Sequence, residues 1–591
     1  MTKILLSGNE AIARGAFEYG CNFASAYPGT PSTEILENVS QYKEITCQWS
    51  PNEKVAMEVA IGASFAGGRA LCAMKHVGVN VAADPLMTLT YIGVKGGFIL
   101  VSADDPGMHS SQNEQDNRNF AKFAKIPVLE PSDSQEAKDF VKHGFEISEK
   151  FDTPVILRMT TRTSHGKGLV EIGDREEHTA SGFEKDFSKY VALPMNARKR
   201  RVVVAEREKK LKEFVEETEL NRIEEGEGKV GFITCGVSYV HLKEVLPNAP
   251  VLKLGIPYPL PMKKIKDFVE KFEKVIVIEE LDPFIEEQIK AAGIKVYGKE
   301  FIPEIGELSP EKVRNALVKA GVLKEENKTK EEDKAIPRPP VFCPGCPHLG
   351  IFYALKKAKA KIVTGDIGCY TLAAIKPFEM MDTCVCMGAS IGNAIGMEKV
   401  LGSGKGIAAV IGDSTFIHSG ITGLVEAVYN KSNITVVISD NSITAMTGGQ
   451  PDARTGWNCQ GEPTGKMDFE VLARAIGVEH VYVVDPVNMD ETYKIVKREL
   501  EADHLSLIIS QGPCVLYPQK VRREKFFTYL ENCTGCSMCS KIGCQAIYKT
   551  AEKTEKGKFK WNIDTTLCTG CGLCIQMCKF DAIRPFSRKG E

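Results

Sequence analysis

Nineteen cysteines stand in this chain of 591 residues, and their densest grouping lies near its end. Cys533, Cys536 and Cys539 precede Cys544; Cys568, Cys571 and Cys574 precede Cys578. Tight C-x2-C-x2-C loops let three thiolates close on one centre, and soft thiolates suit iron–sulfur clusters. In this arrangement the fourth cysteine of each run serves the other centre. The spacing therefore predicts one [4Fe–4S] cluster on Cys533, Cys536, Cys539 and Cys578, and a second on Cys544, Cys568, Cys571 and Cys574. Four residues precede Cys544 where three are usual, and Gln545 and Lys579 stand where Pro commonly follows. These departures bear on the loop and potential of the first cluster, not on the pairing. Zinc ribbons, built from two C-x-x-C pairs, fit two runs of four poorly.

A second chemistry is written between Gly406 and Gln450. The stretch reads as a strand over 407–411, a turn, an amphipathic helix over about 417–429 and a strand over 434–438. Both strands are continuous apolar runs, as in a parallel sheet buried on both faces. They end in Gly412-Asp413-Ser414 and Asp440-Asn441-Ser442. Ligands of open parallel sheets bind at the carboxyl ends of the strands, so Asp413 and Asn441 reach one rim. A carboxylate and an amide oxygen suit Mg²⁺, which shares its coordination with phosphates. Gly412 admits a diphosphate close to the backbone. The plain alternative is a βαβ unit with polar turns.

The Gly-Asp pair, the helix and the Asn after the next strand resemble the thiamine diphosphate (ThDP) signature, with Ser414 in place of its third glycine. That resemblance implies Mg²⁺ held by Asp413, Asn441 and the carbonyl of Ile443, with Gly412 and Ser414 at the cofactor. Over essentially the whole chain the sequence is similar to the 2-oxoacid:ferredoxin oxidoreductases, and most closely to the large (alpha) subunits that act on indolepyruvate. The segments that carry the likeness are GNEAIARGA, AYPGTPS, MKHVGVNVAADP, FCPGCPH, GDIGCYTL and GDSTFIHSGI.

The resemblance implies further roles. Glu53, followed by the small pair Gly62-Ala63, takes the place of the carboxylic acid that hydrogen-bonds the aminopyrimidine ring. Without the resemblance, Glu53 equally suits a helix start, where the macrodipole favours a carboxylate. Thr30, in Tyr27-Pro28-Gly29-Thr30-Pro31, takes the place of a threonine near the substrate carboxylate; a Pro-bounded turn is the alternative. Lys75, His76 and His109 are candidates to meet a 2-oxoacid, although a single histidine is more often structural. The C-x-x-C of Cys343 and Cys346 suits zinc, redox or cluster chemistry. With Cys369 and Cys514 it matches a third [4Fe–4S] cluster of the family. Gly345, His348, Cys386, Met387 and Gly388 are implied to face the cofactor, and Thr444 to Gln450 to cover it.

The implied reaction is oxidative decarboxylation of an aryl pyruvate to an aryl-acetyl-CoA, with electrons leaving through the clusters to an external ferredoxin, in anaerobic aromatic amino acid catabolism. A smaller beta subunit carrying a gamma-type domain is the implied partner, two copies of each chain. A non-oxidative ThDP decarboxylase has no use for the C-terminal cysteines, and a plain electron-transfer subunit has none for the ThDP motif.

The elements needed to place these residues make an α/β chain of four domains. Residues 1–195 read as a doubly wound pyrimidine-binding domain and 196–340 as a transketolase C-terminal-like α/β domain plus linker. Residues 341–522 read as a doubly wound diphosphate-binding domain and 523–591 as a small α+β ferredoxin domain with two clusters. A charged connector over 197–228 reads as a solvated helix. The formal net charge of −2 gives no support to a nucleic-acid role. No apolar run reaches membrane-span length, and the N-terminal stretch lacks a signal-peptide core, so a cytoplasmic protein with reduced cysteines is expected.

Overall fold

Apolar runs alternating with amphipathic stretches assemble as parallel sheets, and the polar residues singled out above stand at their C-terminal strand ends. The computed structural model describes residues 2–325, 336, 338–517 and 524–588. It divides into two units, Met1–Glu331 and Glu332–Glu591. The linker expected at 324–340 falls largely outside the described residues, as does the boundary at 522/523.

In the first unit, six parallel strands stand in the order Thr46–Trp49, Phe23–Ala26, Ala70–Lys75, Phe98–Asp104, Val155–Thr160 and Val128–Leu129. Every residue of the three longest is buried, which is why they read as unbroken apolar runs. A two-stranded antiparallel ribbon, Thr2–Ser7 against Lys167–Ile172, is an addition to the expected pattern. A four-stranded sheet follows: Lys274–Ile278, Val230–Cys235 and Val251–Leu254 are parallel, with Asn221–Glu224 an antiparallel edge.

The connector forms the helix Pro194–Glu217, but it is not solvated all round. Val204, Arg207, Leu211 and Val215 make a buried stripe at helical spacing. Arg207 donates to the carbonyl of Thr90 (2.7 Å), and Arg200 to those of Tyr91 (2.7 Å) and Ile92 (2.9 Å). These are the orphan carbonyls at the end of the helix Ala83–Ile92, so the connector's cations cap another helix.

A buried ionic network joins the two sheets of this unit. Arg158 pairs with Asp104 and Glu130, each at 2.7 Å; Arg118 pairs with Asp116 (2.5 Å) and Glu279 (2.8 Å). Removing one member would strand a buried charge and cost about 3–5 kcal/mol.

In the second unit, six parallel strands stand in the order Thr383–Cys384, Ile362–Gly365, Ile407–Gly412, Thr435–Asp440, Ser506–Gln511 and His480–Val484. The expected turn after Ile407–Gly412 is absent. Extended Gly412 caps a helix that starts at Asp413, passes through a π-helical turn at Phe416–Gly420 and continues as Ile421–Tyr429. Gly412 has to be glycine: a Cβ there would lie 2.6 Å from the Tyr370 ring. Two antiparallel pairs, Ile547–Lys553 with Phe559–Ile563 and Phe526–Thr528 with Ile583–Pro585, and the helix Leu573–Met577 form the small C-terminal part.

Candidate active site and electron-transfer centres

Gly412 pairs with Ser439 across neighbouring strands, which sets Asp413 beside Asp440 and Asn441 at the carboxyl rim of the second unit's sheet. Backbone amides hold the Asp413 carboxylate: Asn441 N (3.1 Å) and Ser442 N (2.6 Å) donate to Oδ2, and Ser414 N (2.9 Å) to Oδ1. Ser442 reaches its place with φ of +61°, a left-handed conformation. Asn441 Oδ1 accepts from Ile443 N (3.2 Å), and its Nδ2 stands 3.3 Å from His348 Nε2. Burial lowers the His348 pKa to about 4, so the ring is neutral.

The rim carries more negative charge than it neutralises. Asp413, Asp440 and Asp452 lie together, with Arg454 on Asp440 (2.5 Å). Burial first, then Asp452 and Asp440, push the Asp413 pKa well above the carboxylate range. A site that raises a carboxyl pKa in this way is short of a cation, and these oxygen donors suit a hard one. The residues present therefore fit Mg²⁺ with a diphosphate.

Beside the rim lie four thiols. Cys346 is buried, with Cys369, Cys343 and Cys514 among the charges that act on it. Cys369 is raised to about 12 by burial and then by Cys514, Cys343 and Asp413. The backbone N–H of Cys514 donates to the carbonyl of Asn441 (3.1 Å). The four cysteines of the expected third cluster thus face one another next to Asp413.

The eight C-terminal cysteines sort into two hollows. Cys533, Cys536, Cys539 and Cys578 line one; Cys544, Cys568, Cys571 and Cys574 line the other. Burial and then Cys533, Cys536 and Cys578 push Cys539 up to about 11, while Cys574 is raised by burial and then by Cys571, Cys544 and Cys568. Among the described residues no three His, Cys, Asp or Glu converge tightly enough for a single ion; a four-iron cube holds its thiolates apart at its corners. Gly345 lines the second hollow from the diphosphate side. Its φ is +75°, and a Cβ there would lie 2.0 Å from Thr569 Oγ1. The Cys343–Cys346 loop is thereby pressed against the loop that carries Cys568 and Cys571.

In the first unit, Glu53 is buried at the start of the helix Glu53–Phe65, which Asn52 caps through Val55 N (2.9 Å). A Cβ on Gly78 would lie 2.7 Å from Glu53 Cγ and Oε1, so the helix His76–Val81 is pressed against this carboxyl. His76 is fully buried, with Nε2 3.0 Å from Asn113 Oδ1 and Nδ1 without a hydrogen-bond partner. Thr30 comes close: its carbonyl accepts from Ser110 Oγ (3.3 Å), and Ser110 accepts from Lys75. His109 does not join them. Half exposed, it pairs with Glu307 (3.3 Å), a residue beyond the four-stranded sheet.

Three family signatures match: residues 366–510 the thiamine pyrophosphate enzyme C-terminal TPP-binding domain, residues 14–220 the thiamine diphosphate-binding region of pyruvate flavodoxin/ferredoxin oxidoreductase, and residues 561–584 the 4Fe-4S binding domain. The indolepyruvate oxidoreductase subunit IorA of Archaeoglobus fulgidus is 45% identical over 99% of this chain and 97% of its own length. Its counterpart in Pyrococcus horikoshii is 42% identical over 100% and 98%, and that of Methanothermobacter marburgensis 39% over 99% and 98%. The chain belongs to the IorA family of indolepyruvate oxidoreductase subunits. Within that family it is part of a 2-oxoacid:ferredoxin oxidoreductase that uses ThDP and iron–sulfur clusters.

Reading the sequence of this IorA-family chain misses three groups at the site. Asp452, in the loop between Asp440 and Asp468, accepts from Thr444 Oγ1 (3.2 Å) and acts on Asp413. Arg454 ties that loop to Asp440. Asp366, after Ile362–Gly365, is pushed up to about 7 by burial and receives the Tyr370 hydroxyl. Only a strand-end Asp could have flagged Asp366; Asp452 carries no spacing signal. Of the Cys386-Met387-Gly388 segment, Gly388 (φ +85°) starts the helix Ala389–Leu401 against Ser419, while Cys386 is exposed.

Proposed function

We propose that this chain is the large subunit of an enzyme that oxidatively decarboxylates aryl pyruvates, indolepyruvate among them, to aryl-acetyl-CoA and CO2, passing the electrons through its clusters to an external ferredoxin. The observation that carries the reading is the chain of sites in the second unit. The Asp413–Asn441 rim adjoins the four thiols of Cys343, Cys346, Cys369 and Cys514, and Gly345 in that loop lines the hollow of Cys544, Cys568, Cys571 and Cys574. A decarboxylase that does not move electrons has no use for such a series.

Bound ThDP supplies the electron sink for decarboxylation. In this reading Asp413, Asn441 and the Ile443 carbonyl hold Mg²⁺; Gly412, Ser414, Gly345, His348 and Cys386 to Gly388 form the surroundings of the cofactor. Glu53 hydrogen-bonds the aminopyrimidine ring, its burial keeping water from that bond. Thr30 and His76 serve the substrate side. Three [4Fe–4S] clusters lie on Cys343, Cys346, Cys369 and Cys514; on Cys544, Cys568, Cys571 and Cys574; and on Cys533, Cys536, Cys539 and Cys578. The exit is assigned to the last of these, whose Cys536 is exposed.

The aryl preference is supported by the indolepyruvate in the relatives' names, and the CoA product follows from the family resemblance. The word subunit in those names supports a partner chain; its smaller size and two copies of each chain follow from the family resemblance. None of the nineteen cysteines is joined in a disulfide, in keeping with a cytoplasmic setting. No helix among the described residues is long and apolar enough to cross a membrane. The test is anaerobic: the chain with its small partner, ThDP, Mg²⁺ and CoA is mixed with indolepyruvate or pyruvate, and the broad iron–sulfur absorbance is followed. Bleaching that depends on the 2-oxoacid, faster with indolepyruvate, is the expected result. Aldehyde and CO2 without bleaching would replace the reading with a non-oxidative decarboxylase.

A further inference from the structure

Lys75 is a nearly buried cation with no carboxylate on it. It ends the strand Ala70–Lys75 and is 9% exposed. Its Nζ donates to Ser110 O (2.6 Å) and approaches Ser110 Oγ (3.3 Å), both uncharged acceptors. Among the described residues no Asp or Glu oxygen lies within ion-pair distance of it, whereas Arg118, Arg158, Lys138 and Lys253, buried as deeply, each have one. The nearest acid that acts on it, Asp105, spends its oxygens on Ser110 N (2.8 Å), Ser111 Oγ (2.5 Å) and Thr161 Oγ1 (2.7 Å). Burying an ammonium against neutral oxygens alone is costly, and burial lowers its pKa to about 8. An ammonium has three donors, and one residue occupies it here.

The neighbours say which anion Lys75 is placed to meet. A Cβ on Gly29 would lie 3.0 Å from Lys75 Cβ, so the Tyr27–Pro31 loop is packed on this side chain. Ser110 Oγ links Lys75 to the Thr30 carbonyl. The next residue, His76, begins the helix whose Gly78 lies on Glu53. Lys75 therefore stands between the proposed substrate threonine and the proposed cofactor carboxyl, at the carboxyl end of a central strand, where ligands of such sheets bind.

We infer that Lys75 is the anchor for the carboxylate of the 2-oxoacid, its free donor directed to that group while Ser110 fixes the ammonium. The inference rests on the 2-oxoacid reading above and adds to it the residue that recognises the group common to all such substrates. A hydrogen-bonded charge pair of this kind far exceeds an exposed one, and its loss is read as an affinity change.

The test uses the assembled complex with and without ThDP. In the ThDP-free complex, calorimetric titration with phenylpyruvate reads binding without turnover. Lys75→Gln is expected to weaken binding tenfold or more and to raise KM in the loaded enzyme more than it lowers kcat. Lys75→Arg, which keeps the charge, is expected to recover most of the affinity. Gly29→Ala, which pushes on Lys75 without removing its charge, is expected to weaken binding a few-fold and serves if Lys75→Gln does not fold. Wild-type-like binding and KM in Lys75→Gln, or in Gly29→Ala where that variant stands in, would overturn the inference and leave the proposed function standing. A wild-type complex that neither binds phenylpyruvate nor bleaches with any 2-oxoacid would overturn both.

Discussion

Replacing Asp413 by Asn separates two things that one carboxyl does at the rim. In the ligand-free chain Asp413 is buried beside Asp440 and Asp452, with one cation, Arg454, on the far acid. Removing a carboxyl that is held against like charges stabilises by about 1.4 kcal/mol for each tenfold change in its proton affinity. The same carboxyl accepts three backbone N–H bonds, from Ser414, Asn441 and Ser442. An amide can accept at only one of the two positions, and an unsatisfied buried donor costs about 1–3 kcal/mol. The two effects are similar in size and opposite in sign. The ligand-free transition should therefore move little, within about 5 °C at 2–4 °C per kcal/mol. The ligand response should change far more. Mg²⁺ and ThDP at a hundred times Kd stabilise the wild type by about 2.7 kcal/mol, a shift of about 5–10 °C; in Asp413→Asn this shift should vanish. The pH dependence has a definite sign. A carboxyl whose folded pKa lies above its unfolded value binds its proton more tightly when folded, so ligand-free stability falls as pH rises above the unfolded carboxylate range. That slope should flatten in the variant. Thermal unfolding with and without Mg²⁺ and ThDP, across pH 4–8, reads all three. A full ligand shift in Asp413→Asn, or an unchanged pH slope, would refute the argument.

Other substitutions probe the remaining parts. Glu53→Gln should lower the rate of 2-oxoacid-dependent bleaching by about 10²–10⁴, the usual range for a general acid–base group, with iron content unchanged; stopped-flow absorbance reads the rate. Cys369→Ala should lower iron from about twelve to about eight atoms per chain by losing one four-iron cluster, while the spectrum of the two C-terminal clusters persists on dithionite reduction. Gly345→Ala combines a left-handed residue, at about 1–2 kcal/mol, with a Cβ 2.0 Å from Thr569 Oγ1. Transfer to the C-terminal clusters should slow while cofactor binding holds, seen as separated bleaching phases. The KM for the 2-oxoacid should rise as pH passes about 8, where Lys75 loses its proton. A pH series of KM, in wild type and Lys75→Arg, reads this: arginine stays charged and should remove the rise.

What could be read from the sequence followed local rules. The strands at 407–412 and 435–440 are apolar because both faces are covered, and their polar ends stand out against that background. The C-x2-C-x2-C runs fix three thiols by loop length alone. What could not be read depends on residues distant in the chain. The burial of one stripe of Pro194–Glu217 depends on carbonyls at Thr90 to Ile92, and charge composition does not show which arginines cap them. His109 looks like Lys75 and His76 as a polar group at a loop, yet Glu307, nearly two hundred residues on, draws it away. Asp452 joins Asp413 through a loop with no periodicity. The expected turn before the helix after Gly412 failed for a local reason: Gly412 in an extended conformation is itself the cap, so strand and helix need nothing between them.

One physical device recurs through the chain. Asp413 is raised by burial and by like acids; Cys346, Cys369 and Cys539 are raised by burial and by like thiols. Each is a set of groups of one sign folded into a place where none of them ionises readily. A fold gains nothing from such sets by themselves, and each costs it a desolvation penalty. They make sense as sites completed by cations, whose charge reverses the order of preference and expels the protons. Lys75 is the same device with the sign reversed: a buried cation among neutral oxygens, completed by an anion. The electrical imbalance of the polypeptide thus matches the proposed occupants, positive ions at the rim and among the thiols and a carboxylate at Lys75. Loading the cation sites should stabilise the fold and release protons together, whereas a carboxylate at Lys75 should stabilise it and hold the ammonium's proton in place.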